Sequence, residues 1–145
     1  MKRIIIYFLL SILLLITHLS FGQQMRISTT AEKTIMGVQV GTQVSYRLKN
    51  NFTFGGFYQR NFRGVNEINN DVYEYAGASI SHPIARCENI MISGILRGGL
   101  SNRRFVIVTP GIDTELKLTK MLSVSVGMSI RASEAAINAK LILSL

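Results

Sequence analysis

The sequence predicts an all-β protein: an eight-stranded antiparallel up-and-down transmembrane β-barrel, preceded by a cleaved signal peptide. Three observations carry this. The chain opens on a short basic-then-apolar leader, nearly every later segment alternates apolar and polar residues with a period of two, and the polar face is built mainly of small residues. The third observation separates a membrane barrel from a soluble one.

The leader is "MKRIIIYFLLSILLLITHLSFGQQ". Lys2 and Arg3 form the basic region and positions 4–16 the apolar core. Ser20 and Gly22 stand at −3 and −1 of a cleavage site before Gln23. This is the layout of a secretory signal peptide, and the apolar core is shorter than the roughly 17–25 residues of a spanning helix. Residues 1–22 are therefore expected to be signal peptide and 23–145 a single domain. No cysteine lies near the cleavage site, which argues against a lipid-modified N-terminus. The net charge of +8 includes the two leader charges. The remaining cations are spread along an exported chain, so anionic lipid headgroups are a better counter-charge than nucleic acid. A single cysteine, Cys87, allows no internal disulfide, so stability must come from another source.

Beyond the leader, "LSVSVGMSIR" (122–131) places Leu, Val, Val, Met and Ile on one face and Ser, Ser, Gly, Ser and Arg on the other. Positions 36–49, 106–118 and 136–145 repeat the pattern, while "FTFGGFYQRNF", "VYEYAGASISHPI" and "NIMISGILRGGLS" follow it less strictly. A weaker strand at 25–31 brings the total to eight. Short turns are expected at 49–51, 85–88 and 118–121, and further loops at 63–71, 101–104 and 133–135. An even strand number returns both termini to one rim. The short turns share that rim and the other loops the opposite one, which is the periplasmic/extracellular asymmetry of outer-membrane barrels.

Two architectures fit eight such strands. A lipocalin-like barrel turns its aliphatic face inward around a small apolar ligand; an outer-membrane barrel turns it outward to lipid. A water-facing strand surface should be rich in charged residues. Here that face holds Gly37, Gln39, Gly41, Gln43, Ser45, Gly111, Ser123, Ser125, Gly127 and Ser129, with a few long charged residues among them. These are Arg47, Arg97, Asp113, Glu115, Lys117, Arg131 and Lys140. Glycines beside long side chains suit a narrow interior, and the mixed signs allow mutual pairing there. We therefore expect these seven residues to form a charge network in the lumen. Tyr46 and Phe52 near one rim and Tyr58, Phe62, Tyr73, Tyr75 and Phe105 near the other suggest aromatic girdles, although the parity of Tyr73, Tyr75 and Phe105 points inward. Arg60, Arg63, Arg103 and Arg104 fall at the outer rim, where arginine forks suit lipopolysaccharide phosphates.

Leader, eight amphipathic strands and an apolar last residue, Leu145, resemble the small outer-membrane β-barrels of the OmpX/OmpA-transmembrane-domain superfamily. The resemblance implies an outer-membrane location in a Gram-negative cell and insertion by the barrel-assembly machinery, which commonly reads a terminal aromatic; Leu145 departs from that. It also implies neighbours among outer-membrane lipids and other outer-membrane proteins. Catalysis is not expected. His82 stands alone beside Pro83 near a turn, no catalytic or metal-ligand set is present, and no cofactor motif occurs. The expected function is a non-enzymatic barrel with a side-chain-filled lumen, structural or accessory to an outer-membrane assembly. The alternative is a secreted, lipocalin-like carrier.

Overall fold

The computed structural model describes residues 24–34, 37–61 and 73–145. The leader and the whole of the 63–71 loop expectation, together with Phe62, lie outside the described residues. Eight strands follow in chain order: β1 Gln24–Thr34, β2 Gly37–Arg47, β3 Thr53–Asn61, β4 Glu74–Arg86, β5 Ile90–Ser101, β6 Phe105–Lys117, β7 Leu122–Arg131 and β8 Glu134–Ser144. Each pairs antiparallel with the next, and β8 returns to β1, so the sheet closes as a barrel in simple meander order. Closure leaves no sheet edge along most of its height.

The strands form where the period of two predicts them, and the turns follow local backbone chemistry. The β6–β7 connection covers 118–121, as expected, and is tied by Leu118 and Thr119 N–H groups donating to the Leu122 carbonyl. The β7–β8 connection is only two residues, Ala132 and Ser133, both in the left-handed region (φ 48° and 71°). That is the sign pattern of a two-residue hairpin whose twist matches its strands. β1 is three residues longer at its C-terminal end than the sequence pattern suggested, because its outward face mixes Thr, Ala and Lys with aliphatics and so blurs the alternation. At β4 the ladder shifts between Pro83 and Ala85, where proline cannot donate to a partner. The β6–β7 ladder begins at Gly111↔Ser129, so positions 105–110, ending at Pro110, have no partner on β7 in that ladder.

The core is inverted relative to a soluble barrel. Among the described residues, 22 polar or charged side chains are buried, against six hydrophobic ones, while 27 large hydrophobic residues are exposed. The stretch 122–131 shows it locally: Val126 is 58% exposed, and Ser125 3%. In a lipocalin-like barrel the aliphatic face would line the interior; here it covers the outside.

Candidate functional site

The inward faces of the strands meet in a filled lumen, and two groups of charges organise it. In the half nearer the short turns, Glu115 on β6 sits between two arginines. Arg26 Nη2 on β1 lies 2.5 Å from Oε1, and Arg47 Nη2 on β2 lies 2.7 Å from Oε2. Arg26 Nε also donates to Ser144 Oγ and Arg47 Nε to Thr53 Oγ1, each at 3.4 Å. Beside them Lys140 on β8 pairs with Asp113 on β6. A cavity of about 50 Å³ adjoins this group, lined by Ser28, Gln43, Ser45 and Ser93 as well as the charges. It is polar and large enough for a few water molecules, and too small for a larger guest.

In the other half, Glu32 on β1 lies between Arg97 on β5 (2.6 Å) and Arg131 on β7 (3.4 Å). Arg131 Nη1 also donates to Gln39 Oε1 at 2.6 Å, and Arg97 Nη2 to Ser129 Oγ at 3.1 Å. Aromatic rings surround this group. The Arg131 guanidinium stacks 4.1 Å from the Tyr75 ring centre and 5.0 Å from that of Tyr73, and Arg97 lies 5.9 Å from Phe57. Phe57 and Tyr75 meet edge to face at 4.7 Å. The Tyr75 hydroxyl shares a hydrogen bond with Thr109 Oγ1 at 3.1 Å and donates to the Ile107 carbonyl at 3.3 Å.

Of the seven sequence-predicted lumen residues, six lie inside: Arg47, Arg97, Asp113, Glu115, Arg131 and Lys140. Lys117 is a correction. It has the inward parity but is the last residue of β6, and there the barrel opens to solvent, so it is exposed and draws on none of the lumen carboxylates. Two members were missed, Arg26 and Glu32. Both lie on β1, and their parity matches Ser28 and Thr30, a signal present in the sequence but masked by the weak alternation of that strand. Tyr75 proves to be a core side chain with no exposed surface, whereas Phe105, of the same expected parity, is exposed at the start of β6.

The need for small residues opposite long ones is visible at Gly127. It faces Asp113 across the β6–β7 ladder, and a Cβ there would overlap the Asp113 carboxylate and crowd the Ile112 carbonyl. Glycine at that position is therefore part of the charge site.

At the opposite end from the short turns, the rim arginines are distributed unevenly. Arg60 lies opposite Glu74 in the β3–β4 register. Arg103, 88% exposed at its side chain, approaches Glu74 Oε2 at 3.8 Å. The Tyr58 hydroxyl donates to Glu74 Oε1 at 3.0 Å, and the Glu74 N–H donates to Asn102 Oδ1 at 2.7 Å. Arg103 and Tyr58 thus engage this carboxylate, and Arg60 lies beside it in the register. Arg104 is exposed nearby on the β5–β6 hairpin, and Arg63 lies outside the described residues. Cys87 is an exposed free thiol in the β4–β5 turn, and the His82 ring packs 6.4 Å from Phe52 on the outer wall. No cluster of metal-ligating side chains occurs among the described residues.

No protein-family model matches the chain, and no curated protein sequence does. Solved structures do match in shape. A de novo designed barrel, TMB2.3, aligns with a TM-score of 0.67 at 10% identity, covering 86% of this chain and 96% of its own. A second match, described as de novo design of transmembrane β-barrels, gives 0.66 at 11% identity with the same coverage. Neisserial surface protein A gives 0.52 at 10% identity, over 83% of this chain and 94% of its own. The fold is that of a small transmembrane β-barrel. Identities this low speak for architecture alone.

Proposed function

We propose that this chain is a non-enzymatic integral outer-membrane β-barrel whose lumen is closed by its own side chains, acting as a structural or accessory component of that membrane. The supporting observation is the inverted core: aliphatic residues cover the barrel wall, and charge pairs fill the inside. In water that wall would be an apolar surface far larger than soluble monomers expose; in lipid it is the expected covering. An eight-stranded interior is just wide enough to be filled, and here salt bridges cross it at two levels. Diffusion of solutes through the lumen is therefore not its role. Export by the leader, insertion by the barrel-assembly machinery and contact of the rim arginines with lipopolysaccharide phosphates complete the reading.

The face assignment is tested by spin labels at 126 and 125 in lipid vesicles. Position 126 should collide strongly with oxygen and weakly with a water-soluble relaxation agent; position 125 should be poorly reached by oxygen from the hydrocarbon. A label at 126 shielded from both agents, in a protein that stays soluble without detergent, would sink the membrane reading. A stable, large conductance of the unmodified protein in planar bilayers would refute the closed lumen.

A further inference from the structure

The outer wall is not uniformly filled. Across β7, β8, β1, β2 and β3 runs a groove of about 710 Å³, within the size range of ligand sites. Its outward floor is small, with Ala139 on β8, Ala31 on β1 and Thr42 on β2. One cross-strand row links its ends: Val126↔Ala139, Ala139↔Ala31, Ala31↔Val40 and Val40↔Arg60. Arg60 is one residue from the outer end of β3, while Val126 is mid-strand in β7, five residues below Arg131. At about 3.3 Å per residue and a strand tilt of about 40°, this four-residue difference is a descent of about 10 Å. That is about two thirds of one leaflet of a hydrocarbon core about 30 Å thick.

The two ends differ in chemistry as well as depth. The deep end is aliphatic. The shallow end carries the Arg60 guanidinium on the lipid-facing side. Its cross-strand neighbour Glu74 is already engaged by the Tyr58 hydroxyl and by Arg103. A guanidinium facing lipid at headgroup level needs an anion, and an open apolar trough below it suits a flexible apolar chain.

We propose that this groove seats one acyl chain of a phosphorylated outer-leaflet lipid, with a lipid phosphate on Arg60 and the chain lying over Ala31 and Ala139 toward Val126. The site rests on the membrane reading above and adds a stoichiometric lipid to it. A protein segment of purely apolar character would fill the trough and leave Arg60 without a partner, so a lipid fits both ends better.

The test is native mass spectrometry of the full folded barrel in a nonionic detergent, with lipid A as probe. Inorganic phosphate and an uncharged monoacylglycerol serve as competitors. The expected result is one retained lipid A, displaced by neither competitor at equal concentration. Arg60→Gln and Ala139→Phe should each lower retention at least tenfold, Arg60→Lys should keep most of it, and Ala135→Phe, outward on β8 but outside the groove, should change nothing. Retention unaffected by Arg60→Gln or by Ala139→Phe would overturn the site, as would displacement by either competitor. A wild-type dimer dissolved by Ala139→Phe would also overturn it, assigning the groove to a second copy. Folding of each variant is read from its heat-dependent electrophoretic shift. A barrel that inserts into vesicles but retains no lipid A overturns the groove site and leaves the membrane reading standing; a chain that does not insert overturns both.

Discussion

The two halves of the lumen hold the same motif in different surroundings. Each places one glutamate between two arginines, Glu115 with Arg26 and Arg47, Glu32 with Arg97 and Arg131. The Glu115 half adjoins a polar cavity and a second ion pair, Lys140–Asp113. The Glu32 half is walled by Phe57, Tyr73 and Tyr75, and Glu32 itself has no exposed surface. Charge arithmetic alone would make the two equivalent. The energy of an ion pair, however, depends on what surrounds it. Where a few waters can reach, an orphaned arginine is partly solvated; among rings it depends on its carboxylate and on the ring faces. A second cavity, of about 130 Å³, reaches Arg131, Gln39 and Tyr73 from the outer rim, so what sets the Glu32 half apart is the full burial of its carboxylate and the rings around its arginines. The half nearer the short turns is expected to be the more forgiving.

Removing the central carboxylate from each half breaks that comparison most directly. Glu32→Gln keeps the shape and leaves Arg97 and Arg131 without a counter-charge, so it should cost about 3–5 kcal/mol. Chemical unfolding in micelles or vesicles measures it. The half nearer the short turns should reach a comparable loss only when both of its carboxylates go, in the double variant Asp113→Ala/Glu115→Ala. Glu115→Gln alone should cost about 1.5–3 kcal/mol, the scale of hydrogen bonds to charged groups, because Asp113 and the cavity remain. Equal losses for Glu32→Gln and Glu115→Gln would mean that ring packing and hydration do not distinguish the halves.

The same contrast explains how much of the site could be read beforehand. Strand count, antiparallel order and the inside-outside assignment follow from the period of two and from a Gly/Ser/Gln-rich polar face, both local properties of the sequence. Six of the lumen charges carry that parity, five in strongly alternating strands and Arg97 in a less regular one. Lys117 carries it too, but parity does not say where the barrel ends. Arg26 and Glu32 were hidden because β1 alternates weakly, so its polar residues look alike on both faces. Which cation meets which carboxylate was not legible at all. Arg26 and Glu115 are 89 positions apart, and strand stagger and side-chain reach across the lumen, not spacing along the chain, decide their meeting. The aromatic wall of the Glu32 half fell between these cases: Tyr75 had inward parity, but so did Phe105, and only the height of each along its strand tells a core ring from a rim one.

The smallest expected effect asks what holds the Glu32 half together. Tyr75→Phe retains the ring, and with it the contact to Phe57 and the stacking under Arg131. It removes only the hydroxyl that Thr109 Oγ1 and the Ile107 carbonyl share. Thr109 has no exposed surface, so its hydroxyl must turn to another acceptor or stay unpaired. The loss should be about 1 kcal/mol, in the range of one neutral buried hydrogen bond. If ring faces are what stabilise Arg131, Glu32→Gln in the Tyr75→Phe background should cost as much as it does in the native chain, and the two effects should add. A loss from Tyr75→Phe approaching that of Glu32→Gln, or strong coupling between them, would shift the role from the ring to the hydroxyl. The two halves of the lumen would then differ by a hydrogen-bond network rather than by packing.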